Sequence, residues 1–326
     1  MSIKVSLPVK FIIISLLLAI TAILALMLGS VNYTLSYLWD GFVHGAHMKE
    51  MMTLNELRVP RIIAAIFVGA ALGISGTIMQ AVTRNPLADP GLLGVTAGAN
   101  AAIAFVLAFI PGIAFLGMEF SAFIGAAVGT LLVLALSKSK DMFKIIIAGA
   151  AISAFLTALS SAIGLIFKTS KDMNMWTAGG LIGVTWTEVK MVVPVILITL
   201  LISLFFSKQI GILTMSDEVA IGLGLPVRSL RVLLFLLVAI LTGLAVTLIG
   251  NLAFIGLIVP HIARFIVGYD YKSILPMSCF IGALLLLISD LLSRVLTAPF
   301  EIPIIAIISV LGFPFFLYIV RKGGVK

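Results

Sequence analysis

Apolar stretches of about twenty residues recur along the whole of this chain with only short polar joints between them, and no other feature restricts its fold so strongly. A helix needs about 20 predominantly apolar residues to cross the hydrocarbon core of a bilayer, and inside lipid every backbone amide must be satisfied within its own segment. Reading the runs between charged or Pro/Gly-rich joints places spans near 11–30, 61–82, 92–110, 115–136, 142–167, 189–207, 229–249, 252–268, 274–296 and 302–320. The expected fold is therefore all-α: one transmembrane domain over residues 1–326 with about ten helices. The segments at 92–110 and 252–268 are short and the least marked as spans, and the second carries Pro260. Only 10% of the 326 residues are charged, against about 25% in soluble domains, which leaves no room for a sizeable soluble unit. The start, Met1–Gly29, has two lysines before its apolar run, as a signal peptide has; it is read as the first span because it lacks a small-x-small exit.

Orientation follows from the loops. With an even number of spans and the N-terminus inside, only Lys49, Arg58, Arg61, Lys168, Lys171, Lys190 and Arg294 of the 21 basic residues fall outside. Both termini are thus expected on the cytoplasmic side. The net charge of +8 is explained by topology and gives no support to nucleic-acid binding. The single cysteine, Cys279, lies in an apolar stretch, so no disulfide framework and no Cys-based metal site is available.

Small residues recur four apart at Gly69 and Gly73, Gly94 and Gly98, and Gly125 and Gly129, the spacing that lets helix backbones approach in lipid. They fit packing within the bundle or a seam between two copies. On 148–164, Ser153, Thr157, Ser160, Ser161 and Gly164 keep to helical spacing and give one small, weakly polar face, suited to packing or to the wall of a wide path.

Three polar clusters stand at the ends of spans. Arg58-Val59-Pro60-Arg61 puts two guanidinium groups on the outer side, against the positive-inside bias, either snorkelling to lipid phosphates or docking an acidic partner. Arg84-Asn85-Pro86-Leu87-Ala88-Asp89-Pro90-Gly91 is an inner loop in which two prolines four apart forbid a continuous helix and fix a turn. Ser216-Asp217-Glu218-Val219-Ala220-Ile221-Gly222-Leu223-Gly224 reads as a short capped helix presented to the cytosol. Asp290 and Arg294, four apart, form an ion pair on one helix face; His261 is a hydrogen-bonded residue near a helix end rather than a metal ligand.

Residues Arg58–Ala99 (RVPRIIAAIFVGAALGISGTIMQAVTRNPLADPGLLGVTAGA), Gly250–Gly268 (GNLAFIGLIVPHIARFIVG), Ser289–Arg294 (SDLLSR) and Glu301–Tyr318 (EIPIIAIISVLGFPFFLY) resemble, in order, the signatures of the FecCD family of iron-siderophore and cobalamin permeases. The resemblance implies the type II ATP-binding-cassette (ABC) importer fold: ten helices per subunit, a second permease (a copy or a related chain), two cytoplasmic ATP-binding subunits and an extracytoplasmic binding protein with acidic docking residues, in the cytoplasmic membrane of a prokaryote. It also implies roles. Arg58, Arg61 and Arg294 would dock the binding protein, and Asn85, Pro86 and Leu87 would lie at the cytoplasmic gate. Asp217, Glu218, Ala220, Gly222, Leu223 and Gly224 would couple to the ATPase, and Ser153, Thr157, Ser160, Ser161 and Gly164 would line the path.

No P-loop is present, so ATP must be bound by another polypeptide, and no His-Glu-x-x-His, serine elbow or carboxylate cluster suggests an enzyme. Iron is expected to pass inside its chelator, with no cofactor or metal held by this chain. Pro299-Phe300-Glu301-Ile302-Pro303 and the Phe-Phe-Leu-Tyr tail look closer to the ferric-siderophore branch; haem and cobalamin share the scaffold. An ion-coupled carrier is the rival class, and it would need ionisable groups deep in the membrane, where only Asp290 qualifies.

Overall fold

The computed structural model describes residues 6–321 apart from 111, 114, 137–141 and 252–253. Lys4, Lys138, Lys140, Lys322 and Lys326, counted above as inner charges, lie outside the described residues, as do Leu252 and Ala253 of the second signature block. The helices in order are α1 (Leu7–Met27), α2 (Leu35–His44), α3 (Met48–Thr53), α4 (Val59–Thr83), α5 (Val95–Phe109), α6 (Phe115–Leu136), α7 (Met142–Ile166), α8 (Ser170–Ala178), α9 (Trp186–Phe205), α10 (Ser207–Leu213), α11 (Asp217–Gly222), α12 (Val227–Ile249), α13 (Ile255–Val267), α14 (Tyr271–Val295) and α15 (Ile304–Arg321). A π-helical turn, Leu54–Arg58, joins α3 to α4, and a 3-10 turn, Pro90–Leu93, leads into α5.

Among the described residues seven helices are long and apolar enough to cross a bilayer: α1, α4 with its lead-in, α6, α7, α9, α12 and α14. Shorter apolar helices α5, α13 and α15 supply the remaining three of the ten expected spans, so the protein is a multi-pass membrane protein. Helix α4 is the central pillar, with 20 of its 25 residues buried. It packs on α14, α12, α13 and α9, whereas α1 and α7 lie at the periphery and keep most of their surface exposed. All three of the expected small-residue pairs work here as packing within the chain. A Cβ on Gly69 would run into the carbonyl oxygen of Gly282, and one on Gly98 into that of Gly125, so α4–α14 and α5–α6 meet backbone to backbone. Thr77 adds a 2.8 Å hydrogen bond from its hydroxyl to Ser278 across the first seam.

Sequence periodicity misses α2, α3, α8 and α10, which are short and too polar to register as spans. Local caps explain some of the boundaries. The Thr185 hydroxyl and Glu188 side chain form a capping box at the start of α9, Asp270 accepts from Lys272 N at the start of α14, and Ser216 accepts from Val219 N at the start of α11.

Candidate functional site

The two ends of the bundle carry separate polar clusters, divided as the topology requires. At the expected outer end, α4 and α14 bring Arg61 and Asp290 together although 229 residues separate them. Arg61 Nε donates to Asp290 Oδ1 at 2.8 Å, and its two terminal nitrogens reach Glu301 Oε1 and Oε2 at 3.0 and 2.8 Å. Arg294 Nη2 lies 3.1 Å from Asp290 Oδ2, so the expected i,i+4 ion pair forms as half of a larger network. Arg294 Nη1 also donates to Ala25 O at 3.1 Å, and Arg58 donates to Leu26 O at 2.6 Å and Val31 O at 2.5 Å. These carbonyls lie at and beyond the C-terminus of α1, where helix-end oxygens lack partners within the helix and the dipole favours cations.

Within the chain the three arginines have carboxylate or carbonyl partners of their own. Arg61 and Arg294 are 8% and 5% exposed and face inward, because Asp290 at 0% needs cationic partners where no water reaches it. Arg58 is half-buried, with its guanidinium 4.9 Å from the centre of the Tyr33 ring. The pairing of Arg61 with Glu301, 240 residues away, has no signal in local spacing.

At the other end, α4 stops at Arg84, which sits in the left-handed region at φ 50°, a conformation costing a non-glycine residue roughly 1–2 kcal/mol. Asn85 Oδ1 accepts from Leu87 N at 2.9 Å, fixing the turn, and Pro86 O accepts a 3.0 Å hydrogen bond from His261 Nε2 on α13. His261 is thus placed as a hydrogen-bonding residue. Leu87 is exposed at 38%. Helix α11 is a separate short element whose Glu218, Gly222, Leu223 and Gly224 are exposed, while Ala220 is fully buried beneath them. Val219, Ile221 and Leu223 are each exposed apolar side chains near Glu218. Asp217 is pinned from two sides: Arg84 Nη2 donates at 2.5 Å, and Arg231 donates through both terminal nitrogens at 2.7 and 3.0 Å. Hydrogen bonding from Arg231 holds the Asp217 carboxyl below its ordinary value near 3.8. A carboxylate with a depressed pKa contributes above its unfolded value and loses that contribution only as the pH falls through the folded one, so this clamp is intact at neutral pH.

The small face of α7 divides. Ser160 and Gly164 are buried within the chain, and a Cβ on Gly164 would approach Met173 and Ser170 of α8 at 3.1 and 3.2 Å. Thr157 and Ser161 are exposed, with Ala150, Ala154 and Ala158 beside them, and Ser153 is half-buried. One edge is therefore packing, and the other is an open, small and weakly polar surface.

The profile of the FecCD transport family matches residues 17–322, nearly the whole chain and both clusters. The chain belongs to the FecCD transport family. Among its FecCD relatives, the iron(3+)-hydroxamate import system permease protein FhuB of Bacillus subtilis is 39% identical over 94% of this chain and 81% of its own. The Fe(3+) dicitrate transport system permease protein FecC of Escherichia coli is 37% identical over 86% of each. A solved structure of a metal-chelate type ABC transporter in an inward-facing conformation superposes with a TM-score of 0.87 at 30% identity, covering 97% of this chain and 99% of that one. The FecCD fold is thus the type II importer permease fold expected from the sequence.

Proposed function

We propose that the protein is the membrane permease of an ABC importer that carries an iron(III) chelate, a ferric siderophore, across the cytoplasmic membrane. The observation that carries this reading is the near full-length likeness to permeases named for iron hydroxamate and iron citrate, combined with α11, which is anchored to the bundle through Asp217 and Ala220 and leaves Val219 and Ile221 exposed. Two such chains, identical or related, enclose the path, with Thr157 and Ser161 on its wall. These small side chains let a bulky chelate slide past without competing for its metal, so iron stays within the chelator and this chain holds no cofactor. Two cytoplasmic ATPase subunits seat on Asp217–Gly224, and Asn85, Pro86 and Leu87 form the cytoplasmic gate. An extracytoplasmic binding protein delivers the chelate at the outer end, where Arg58 has the most open surface and an acidic partner competes with Glu301 for Arg61. Both termini face the cytoplasm, and lipid covers the exposed apolar faces of the spans.

Gly222→Leu tests the ATPase contact. A Cβ at Gly222 meets nothing within 4 Å in this chain, so the fold tolerates the change and only a docked partner feels it. ATP-driven uptake in proteoliposomes should fall about tenfold, the equivalent of 1.4 kcal/mol at an interface, while insertion and thermal stability stay as in the parent. Unchanged uptake would remove α11 from the coupling surface. Offering iron(III) trihydroxamate, haem and cobalamin in turn, each with its binding protein, tests the substrate: uptake of the first supports the siderophore reading, and uptake of haem or cobalamin alone overturns it.

A further inference from the structure

We propose that Arg84 is the positioning residue through which movement of α11 reaches the loop Asn85–Leu87. The inference rests on the reading above, that α11 seats an ATPase and this loop gates the path. One guanidinium grips both sides of the α10–α11 junction: Nη2 holds Asp217 Oδ1 at 2.5 Å, and Nε donates to Leu213 O at 3.0 Å. The backbone of Arg84 is joined to Asn85 by a single peptide bond, and its side chain is held at two points, Asp217 and Leu213 O, so displacement of α11 reaches the loop through one residue. The loop is hinged on its other side, where His261 holds Pro86 O at 3.0 Å. A pull at Arg84 against that fixed point turns the loop rather than carrying it along.

Arg231 provides the contrast. It shares Asp217 with Arg84, at 2.7 and 3.0 Å, but belongs to α12 and fastens α11 to the bundle without belonging to the loop. The two arginines therefore divide the work, and losing either has a distinct consequence. The side chains of Arg84 and Asp217 are 35% and 40% exposed, and ion pairs that open to solvent contribute little to stability. Removing Arg84 should sever the transmission while leaving a folded protein.

The test reads the loop itself and needs no chelate. In a Cys279→Ser background, Leu87→Cys is placed in the complex with its ATPase subunits, and its rate of modification by a membrane-impermeant maleimide is measured in inside-out vesicles. Rates are compared without nucleotide and with Mg-ATP trapped by vanadate. With Arg84 present, the two states should differ roughly fivefold or more, the range of ordinary coupling between sites. Arg84→Gln should abolish the difference, Arg84→Lys should restore part of it, and Arg231→Gln should keep its direction. A full nucleotide-dependent difference in Arg84→Gln overturns the proposal. No difference in the parent with Arg84 present overturns instead the gate reading on which it rests.

Discussion

Replacing Asp290 with alanine is expected to cost about 3–5 kcal/mol, enough to deplete folded protein from the membrane. Its carboxylate, 0% exposed, stands between Arg61 Nε at 2.8 Å and Arg294 Nη2 at 3.1 Å. Removing it leaves the buried Arg294 guanidinium without its carboxylate partner, and the penalty for stranding a buried charge exceeds the net worth of the pair itself. Thermal denaturation in detergent, followed by the monodisperse fraction on size exclusion, measures the loss. The double variant Asp290→Ala with Arg294→Leu should recover part of it, because Arg61 keeps Glu301 at 3.0 and 2.8 Å and no second cation is left stranded. Wild-type stability in Asp290→Ala alone would show that the network does not hold α4 to α14.

The second large effect is steric. Gly69→Leu forces a side chain into the Gly282 backbone at the closest approach of α4 and α14, and the clash is reciprocal because a Cβ on Gly282 would meet Gly69 O. Overpacked cores ordinarily lose about 1–3 kcal/mol, and here the obstacle is backbone, which cannot adjust its rotamer, so the loss should lie at or above the top of that range. Gly222→Leu makes the same change in volume in open space and should leave denaturation unmoved. Comparing the two melting curves separates a seam from a docking surface. Equal curves would mean that α4 and α14 tolerate separation and that the close approach is not needed.

The contrast between these positions shows how much the sequence reveals. The spans could be read because hydropathy is a local property, and two that stood out as short, over 92–110 and 252–268, are the short helices α5 and α13. The Asp290–Arg294 pair could be read because it repeats at one helical turn. Contacts between distant segments could not. Topology puts Arg61 and Arg294 on the outer side, and the family resemblance implies that they dock a partner. Only the packing of α4 on α14 shows that Asp290, 229 residues from Arg61, has drawn them inward. Arg84 stands in a conspicuous motif, but its partner Asp217 is 133 residues away, so the link between gate loop and short helix emerges only once the chain is folded. The face of α7 was legible as small and weakly polar. Which edge it buries depends on the packing of α7 against α5, α6 and α8, and α8 is a helix too polar for hydropathy to register.

The central claim is that this chain works as the permease of an ATP-driven importer. The most direct measurement is co-purification of the tagged protein from mildly solubilised membranes, with identification of what is retained and an ATPase assay on the eluate. An ATP-hydrolysing subunit and a second permease chain are expected in the eluate, with about tenfold less ATPase retained by the Gly222→Leu variant. A chain that elutes alone, without ATPase activity under several gentle conditions, would contradict it and leave Asp217–Gly224 without a partner.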